Sequence, residues 1–212
     1  MVLIGLMGNA GSGKTTFAEY IVKDYGFIEK SFADPLKKAC QKLFLFEDHQ
    51  IYGTQEQKET PDPRWFNCTP RTALQFVGTE LFRDNLEKIM PGLGKDIFIH
   101  HFKIWYEREL ERNPDVRVVV SDVRFQNEAD FIKSLGGTVI KISREPIKRN
   151  LLKRVLSGFI INQRDTHASE KELKNIKNYD ILIENTGTID NYYQEIIKTI
   201  QNIISENGST YV

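Results

Sequence analysis

The chain has little cysteine, and its cysteines and histidines lack metal-binding spacing. Of its 212 residues, only Cys40 and Cys68 are cysteines, and they form no CxxC pair. This usage predicts reduced thiols in a cytoplasmic protein rather than a disulfide framework. None of the four histidines has a cysteine or a second histidine at zinc-ligand spacing, which excludes a zinc site.

An excess of charge and a long apolar run are absent as well. Lysine plus arginine and aspartate plus glutamate each number 29, so the net charge is zero. A neutral chain argues against binding to nucleic acid through a broad basic surface. No apolar run is long enough to span a membrane, and the apolar start is too short for a signal peptide. We therefore expect a cytoplasmic protein without a nucleic-acid or membrane partner.

The most specific motif that is present lies near the start of the chain. Residues Gly8 to Thr15 read Gly-Asn-Ala-Gly-Ser-Gly-Lys-Thr, which fits the phosphate-binding P-loop G-x-x-x-x-G-K-[ST]. An apolar segment precedes the motif and a helical pattern follows it, as the motif requires. Lys14 would reach the β- and γ-phosphates of ATP, and the Thr15 hydroxyl would bind Mg²⁺. The predicted ATP-binding residues here are Asn9, Ala10, Gly11, Ser12, Gly13, Lys14, Thr15 and Thr16.

Apolar segments that alternate with helical patterns predict an α/β fold with a parallel sheet. The five predicted strands are Val2 to Met7, Phe27 to Phe32, Val116 to Ser121, Thr138 to Ile142 and Asp180 to Glu184. Ligands of such sheets bind at the carboxyl ends of the strands. At that edge we expect the P-loop, Asp34, Asp122, Arg144 and Asn185.

The segment between the second and third strands predicts helices around a long loop. Asp34 is expected to cap a helix that has Pro35 in its first turn. The apolar face of this helix would comprise Leu36, Ala39, Cys40 and Leu43. From Phe46 to Thr69 the pattern breaks down and predicts an irregular loop. An amphipathic helix is expected from Asp96 to Arg112, with mostly buried aromatic residues.

A helix that starts at Thr69-Pro70 carries both an apolar stripe and a polar row. The predicted stripe is Leu74, Val77 and Leu81, and the polar row is Arg71, Gln75, Thr79 and Arg83. The polar row is either a solvated surface or a row of donors that face a phosphate or a base. The residue pattern alone leaves both interpretations open.

Asp122 and Arg124 follow the apolar third strand. A carboxylate in this place matches a Walker-B aspartate, which holds Mg²⁺; the alternative is a helix N-cap. Arg124 is placed to stabilise a transferred phosphoryl group, because arginine stays charged and binds phosphate bidentately. The alternative for Arg124 is a structural ion pair.

Two further segments suggest nucleotide contacts. A basic cluster between Arg144 and Arg164 is either a lid that closes over phosphates or a solvated basic helix. The cluster comprises Arg144, Lys148, Arg149, Lys153, Arg154 and Arg164. The segment Asn185-Thr186-Gly187-Thr188 is either a simple turn or the place where backbone groups contact adenine.

Four blocks resemble phage-type deoxynucleoside monophosphate kinases, in addition to the P-loop. The blocks are Ser-Phe-Ala-Asp-Pro-Leu-Lys at 31–37, Thr-Pro-Arg-Thr-Ala-Leu-Gln-Phe-Val-Gly-Thr-Glu-Leu-Phe-Arg at 69–83, Val-Ser-Asp-Val-Arg-Phe-Gln-Asn-Glu at 120–128 and Asp-Thr-His-Ala-Ser-Glu at 165–170. This resemblance implies a P-loop nucleotide-kinase-like three-layer sandwich, with a five-stranded parallel sheet and a lid. It also implies transfer of the γ-phosphoryl group of ATP to a deoxynucleoside monophosphate, with Mg²⁺ as cofactor.

The resemblance implies one kinase domain over residues 1–212, with an acceptor-binding region at about 32–112 and a lid at about 144–168. The residues expected at the acceptor are Lys37, Arg71, Gly78, Thr79 and Phe98, together with Asp122, Arg124 and Glu128 between donor and acceptor. The catalytic cations would be Lys14, Arg124, Arg149, Arg154 and Arg164, and the metal ligands Thr15 and Asp122. Asn185 and Gly187 would complete the ATP site. His167 and Glu170 match the motif after the lid, but the resemblance gives them no role.

The chain departs from some relatives of this type, which carry basic residues in the P-loop where this chain has Ala10 and Gly11. Two other functions remain as alternatives. One is a P-loop kinase of another small phosphorylated metabolite, of the phosphomevalonate or dephospho-coenzyme A type, and the other is a non-catalytic nucleotide-binding switch. A nucleic-acid end kinase is disfavoured by the neutral charge. The expected partners are small nucleotides, and the expected state is a monomer or homodimer in a cytoplasm, that of a host if a phage encodes the chain.

Overall fold

The structure is a computed structural model that describes residues 1–144, 176 and 178–208, without the side chains of 207 and 208. The chain divides into two compact units. The sheet unit comprises Met1–Lys30 and Asn113–Val212, and the helical unit comprises Ser31–Arg112. The helical unit covers nearly the same stretch as the expected acceptor-binding region. That one kinase domain spans the whole chain stays a prediction.

The five predicted strands form one parallel sheet, which confirms the predicted fold class. The strands are β1 (Val2–Met7), β2 (Ile28–Lys30), β3 (Arg117–Val123), β4 (Thr138–Ser143) and β5 (Ile181–Glu184). Their order in the sheet is β2-β3-β1-β4-β5, and every neighbouring pair is parallel. Four strands differ from the prediction in their bounds: β2 is shorter at both ends, β3 begins one residue later and continues to Val123, β4 ends one residue later, and β5 begins one residue later. Asp122 therefore lies inside its strand rather than after it.

Among residues 1–144, 176 and 178–208, the helices in chain order are α1 (Lys14–Tyr25), α2 (Asp34–Phe44), α3 (Asp48–Tyr52), α4 (Gln55–Glu59), α5 (Pro70–Phe76), α6 (Ile97–Arg112), α7 (Gln126–Ser134) and α8 (Ile189–Gly208). Short 3₁₀ turns lie at Pro63–Trp65, Leu86–Lys88 and Gly94–Asp96. A π-helix spans Val77–Asp84. In the described part of the chain, no helix combines the length and the apolar character needed to cross a membrane.

The two faces of the sheet are covered by different helices, because successive side chains of a strand point to opposite faces. Val2, Ile4 and Leu6 of β1 belong to one buried cluster with residues of α1 and α8. On the other face, a Cβ placed at Gly5 would lie 2.5 Å from Cδ1 of Ile132 in α7. The sheet unit thus has the expected three layers: α1 and α8, the sheet, and α7.

The start of α2 differs from the prediction. Its N-cap is Ala33 and makes no capping hydrogen bond through a side chain, so the prediction that Asp34 caps the helix is wrong. Asp34 is the first helical residue, and its Oδ2 accepts a hydrogen bond from the Ser31 amide at 3.2 Å. Of the predicted apolar face, Leu36 and Cys40 are buried. Ala39 and Leu43 are exposed, so the buried stripe of α2 is narrower than expected.

The prediction of an irregular loop from Phe46 to Thr69 is wrong in part. Short helices α3 and α4 form here, and each begins with a capping box, Glu47 with Gln50 and Thr54 with Gln57. Reciprocal side-chain bonds of this kind satisfy the free amides of a helix start. Such local hydrogen bonds order a segment that lacks an apolar period.

The segment after α4 is held by a buried carboxylate. Asp62 is 4% exposed and accepts hydrogen bonds from Arg64, at 2.7 Å from Nη2, and from Gln50, at 2.9 Å. The hydrogen bonds from Arg64 and then Gln50 hold the pKa of Asp62 well below its usual value. Trp65 also donates its indole N–H to the Phe44 carbonyl at 2.7 Å. Polar contacts therefore help to hold this stretch in place.

The helix predicted from Thr69 is present, but it changes its winding. Thr69 caps α5 by accepting a hydrogen bond from the Thr72 amide, and α5 then continues as the π-helix. The wider π-helical turn displaces later residues around the axis. Val77 is buried whereas Leu81 is 48% exposed, so the predicted apolar stripe does not extend to Leu81.

Helix α6 matches its prediction closely. Its buried side chains include Phe98, Phe102 and Tyr106, at the spacing of one helical face. Within the helical unit, the ring of Phe102 packs against Phe32 with centroids 5.2 Å apart. The aromatic residues of α6 are thus mostly core, as the sequence predicts.

Candidate active site

The P-loop has the geometry of an anion-binding loop. It connects β1 to α1, and Gly8, Gly11 and Gly13 have positive φ angles of 151°, 76° and 113°. Gly13 is the N-cap of α1 and, as a glycine, has no side chain with which to cap the helix. The first amides of α1 therefore receive no cap from their own N-cap residue and are suited to bind an anion, which the helix dipole also favours.

Lys14 lies inside this loop beside two further charges. Its Nζ donates hydrogen bonds to the carbonyls of Gly8 at 2.7 Å and Asn9 at 2.9 Å. Burial lowers the pKa of Lys14 from 10.5 to about 8; the positive charge of Arg124 lowers it further, and the carboxylate of Asp122 opposes both effects. The structure therefore brings together three of the predicted residues: Lys14, Asp122 and Arg124.

The turn after β3 is shaped by a buried carboxylate. Glu128 is 2% exposed, and its Oε2 accepts hydrogen bonds from the amides of Arg124 at 2.8 Å and Phe125 at 3.2 Å. These bonds fix the backbone that carries Arg124. The N-cap of α7 is Phe125, so the alternative role of Asp122 as that helix N-cap is wrong. The expected place of Glu128 between donor and acceptor stays a prediction.

Two buried side chains from the C-terminal part of the chain, after β5, form hydrogen bonds with the P-loop. Asn185 donates from Nδ2 to the Ser12 carbonyl at 2.9 Å, and Tyr192 donates its hydroxyl to the Gly13 carbonyl at 3.0 Å. Burial raises the pKa of Tyr192, so its hydroxyl keeps its proton. The sequence did not identify Tyr192, because an aromatic residue on the apolar face of α8 has the signature of a core residue.

The residues at the P-loop fit a phosphate and a magnesium ion. Ser12 Oγ is buried without a hydrogen-bond partner among the described residues, and an orphaned hydroxyl of this kind suits an anion or water. Thr15 is exposed at the start of α1, and Asp122 is half-buried. Within the described ranges, no group of three or more His, Cys, Asp and Glu side chains forms a metal site. Mg²⁺ held by Thr15 and Asp122 would thus take its other ligands from phosphate oxygens and water.

In the helical unit, two predicted acceptor-binding cations lie beside carboxylates. Lys37 Nζ is 3.8 Å from Asp34 Oδ1, and it lies over the ring of Tyr52 at 5.6 Å from the centroid. Arg71 Nε is 3.3 Å from Glu59 Oε1, but this nitrogen has no hydrogen-bond partner among the residues that the structure describes. Both cations therefore have donor capacity that a phosphate could use.

The other expected acceptor residues are packed within the helical unit. A Cβ at Gly78 would lie 2.6 Å from Cδ2 of Leu36, so the helix passes close to α2 here. Phe98 is 6% exposed and has the Arg83 guanidinium over its ring at 5.2 Å. Thr79 is half-buried. The roles of these residues stay predictions.

The turn after β5 borders a pocket of about 620 Å³ in the sheet unit. It is lined by residues 182–187 and by residues of α8 that include Asn191 and Gln194. Asn185 and Gly187, both predicted to bind ATP, are among the lining residues. Arg144 directly follows β4 and is exposed. The lid, with Arg149, Arg154 and Arg164, lies outside the described residues, as do His167 and Glu170.

Comparison with known proteins identifies relatives of this chain. The family model "Deoxynucleotide monophosphate kinase" matches residues 71–196. A protein of Acanthamoeba polyphaga mimivirus, named "Putative deoxynucleotide monophosphate kinase", is 59% identical over 207 residues, which cover 98% of this chain and 100% of the relative. The deoxynucleotide monophosphate kinase of enterobacteria phage T4 is 23% identical over 254 residues, with 95% of this chain and 99% of the phage protein covered.

A solved structure shows the same fold at low identity. The protein TT1252 from Thermus thermophilus superposes with a TM-score of 0.50 at 17% identity, and the match covers 97% of each chain. The family model matches more than half of this chain, and the mimivirus relative is matched over its whole length. The chain belongs to the deoxynucleotide monophosphate kinase family.

Proposed function

We propose that the chain transfers the γ-phosphoryl group of ATP to a deoxynucleoside 5′-monophosphate, and releases the deoxynucleoside diphosphate and ADP. The observation that carries this proposal is the group formed by Lys14, Asp122 and Arg124 at the P-loop, in a chain of this family. An oxygen of the acceptor phosphate forms a bond to the γ-phosphorus, while the bond from that phosphorus to the bridging oxygen of ADP breaks. A general base is unnecessary, because the acceptor phosphate is already an anion.

The donor site has the charges that this transfer needs. The amides at the start of α1 and the ammonium of Lys14 bind the phosphates of ATP. Thr15 and Asp122 hold Mg²⁺, which neutralises phosphate charge when bound. Arg124 stabilises the negative charge on the migrating group, because its guanidinium stays charged and its backbone is fixed by Glu128. Backbone groups of the turn at Asn185 and Gly187 contact the adenine.

The acceptor site would lie in the helical unit. Arg71 binds the monophosphate, and Lys37 adds a second positive charge. Glu59 lies beside Arg71 and Asp34 lies beside Lys37, so the phosphate would compete with these carboxylates for the two cations. Thr79 contacts the sugar or base. The lid arginines Arg149, Arg154 and Arg164 supply further positive charge over the phosphates.

Family membership favours a nucleotide acceptor over the two alternatives. A kinase of phosphomevalonate or dephospho-coenzyme A type would share the P-loop, but the match over residues 71–196 is to deoxynucleotide monophosphate kinases. A non-catalytic switch has no need of Arg124 beside Lys14, since an extra cation there serves charge that develops during transfer.

The test is an assay of ADP release with ATP, Mg²⁺ and each common deoxynucleoside or nucleoside monophosphate in turn. We expect turnover with one or more deoxynucleotides. Lys14→Ala should lose turnover by about two to three orders of magnitude, in line with the removal of one electrostatic contact to a transition state. Lys23→Ala is the matched control, because Lys23 is an exposed lysine of the same helix. No turnover with any monophosphate, or normal turnover by Lys14→Ala, contradicts the proposal.

A further inference from the structure

Two consecutive carbonyls of the P-loop, those of Ser12 and Gly13, accept hydrogen bonds from side chains that are far away in the sequence. Asn185 directly follows β5 and is 9% exposed, and Tyr192 lies in the first turn of α8 and is 3% exposed. Asn185 bonds the Ser12 carbonyl at 2.9 Å, and Tyr192 bonds the Gly13 carbonyl at 3.0 Å. Two buried donors thus hold two consecutive peptide units of the loop.

Holding these carbonyls also directs the amides that face a phosphate. In a planar trans peptide unit, the C=O and N–H groups point in opposite directions. The Ser12 carbonyl shares its peptide unit with the Gly13 amide, and the Gly13 carbonyl shares its unit with the Lys14 amide. Bonds from Asn185 and Tyr192 therefore turn both amides away from these two side chains. These are the amides at the start of α1, where an anion binds.

The close fit of Asn185 and Tyr192 around Gly13 leaves no room for a side chain at this position. A Cβ at Gly13 would lie 2.6 Å from Asn185 Nδ2 and 3.0 Å from the Tyr192 hydroxyl, and φ of Gly13 is 113°. The Gly13 carbonyl also accepts the first helical bond of α1, from the Phe17 amide at 3.0 Å. The backbone of both donor residues is held as well. The backbone N–H of Asn185 donates to the Ser143 carbonyl at 2.7 Å, and the backbone N–H of Tyr192 donates to the Thr188 carbonyl at 3.1 Å.

We propose that Asn185 and Tyr192 are positioning residues for the phosphate donor. Their hydrogen bonds fix the peptide units of Ser12 and Gly13 in the conformation that binds the β- and γ-phosphates. This inference rests on the proposed function, namely that the P-loop binds ATP. The side chain of Asn185 then binds the P-loop rather than the adenine. Tyr192, a buried residue, then has a role in ATP binding in addition to packing.

Tyr192→Phe tests the proposal, because it keeps the ring and removes only the hydroxyl. The control is Tyr193→Phe at the next position, where the ring of Tyr193 packs against Tyr20 with centroids 5.2 Å apart. Each protein is titrated with Mg²⁺–ATP by calorimetry without an acceptor, its KM for the monophosphate is measured, and its Tm is recorded. We expect Tyr192→Phe to raise the Kd of ATP about five-fold, as the loss of one hydrogen bond predicts. The KM for the monophosphate should stay near that of the control, whereas the Tm should fall slightly, because a buried hydrogen bond is lost.

An unchanged Kd of ATP in Tyr192→Phe overturns the proposal, whatever happens to the Tm. Equal weakening of ATP and monophosphate binding overturns it too, because that result indicates a general loosening of the fold. If Tyr192→Phe fails to fold, Asn185→Ala is measured in the same way, with the same two outcomes. Failure of the proposed function is seen separately, as absent ATP binding or absent monophosphate turnover in the wild-type protein.

Discussion

The lowered pKa of Lys14 predicts a loss of ATP capture at alkaline pH. Burial and the charge of Arg124 bring the pKa of Lys14 to about 8, from 10.5 for an ordinary lysine. In the free protein about nine-tenths of Lys14 is then charged at pH 7, and only about one-tenth at pH 9. Under the proposed function the ammonium of Lys14 contacts the phosphates, so kcat/KM for ATP should fall about ten-fold between pH 7 and pH 9.

The assay is a pH profile of kcat/KM for ATP at saturating monophosphate, since this parameter reports groups of the free enzyme. Titration of ¹³C-labelled lysine by NMR in the absence of Mg²⁺ gives the pKa of Lys14 without any need for activity. Lys14→Arg is the control, because its guanidinium stays charged over the whole pH range. The fall of kcat/KM at alkaline pH, here called the alkaline limb of the profile, should therefore vanish in this variant even if its rate is lower.

Two neighbouring substitutions should move the limb in opposite directions. Asp122 raises the pKa of Lys14, so Asp122→Asn should shift the limb to lower pH. Arg124 lowers that pKa, so Arg124→Gln should shift the limb to higher pH. A profile of the wild-type protein that stays flat from pH 7 to pH 9.5 would refute the reasoning. So would shifts of the same sign in the two variants.

Three further predictions concern packing, acid stability and the acceptor. Gly5→Ala should lower the free energy of unfolding by about 1 kcal/mol in urea titrations, because the new methyl group meets the flexible end of Ile132; an unchanged stability contradicts this packing. The pKa of Asp62 is lowered by Arg64, so this pair stabilises the fold above pH 3.8 and loses that effect as the pH falls further. The free energy of unfolding of Asp62→Asn should therefore be lower than that of the wild-type protein at pH 7, and this difference should become smaller in acid. A difference that does not depend on pH would contradict a stabilising role of the pair. Arg71→Lys should raise the KM for the monophosphate about ten-fold and leave the KM for ATP unchanged, because an ammonium cannot bind phosphate bidentately.

The parts that the sequence predicts well are those encoded by neighbouring residues. The strand, glycine loop and helix at the P-loop occupy one continuous stretch, and the structure places them as expected. The centre of strand β3, Val118 to Val120, is apolar and buried, which is the pattern of a strand buried on both faces. The expectation of a deoxynucleoside monophosphate kinase is confirmed by the family match.

The parts that the sequence misses depend on contacts between distant residues or on local hydrogen bonds without a period. Tyr192 is separated from Gly13 by most of the chain, so no motif joins them. Helices α3 and α4 begin with capping boxes but carry almost no buried apolar residue. The π-helix after α5 shifts the spacing of the residues that follow Val77. Periodicity cannot predict any of these features.

Lys14 is held in its charged form at a cost to the stability of the free protein. A pKa lowered from 10.5 to about 8 means that the charged lysine destabilises the fold by about 3 kcal/mol at neutral pH. The unfolded chain binds this proton more tightly, so stability should rise as the pH increases from 8 to 10.5. Burial is the main cause of this cost, the charge of Arg124 adds to it, and the carboxylate of Asp122 offsets only part of it. Under the proposed function, the phosphates of ATP would bring negative charge to Lys14, so bound ATP should raise the pKa of Lys14 and the stability of the protein, and the P-loop would be both a binding site and a local source of instability.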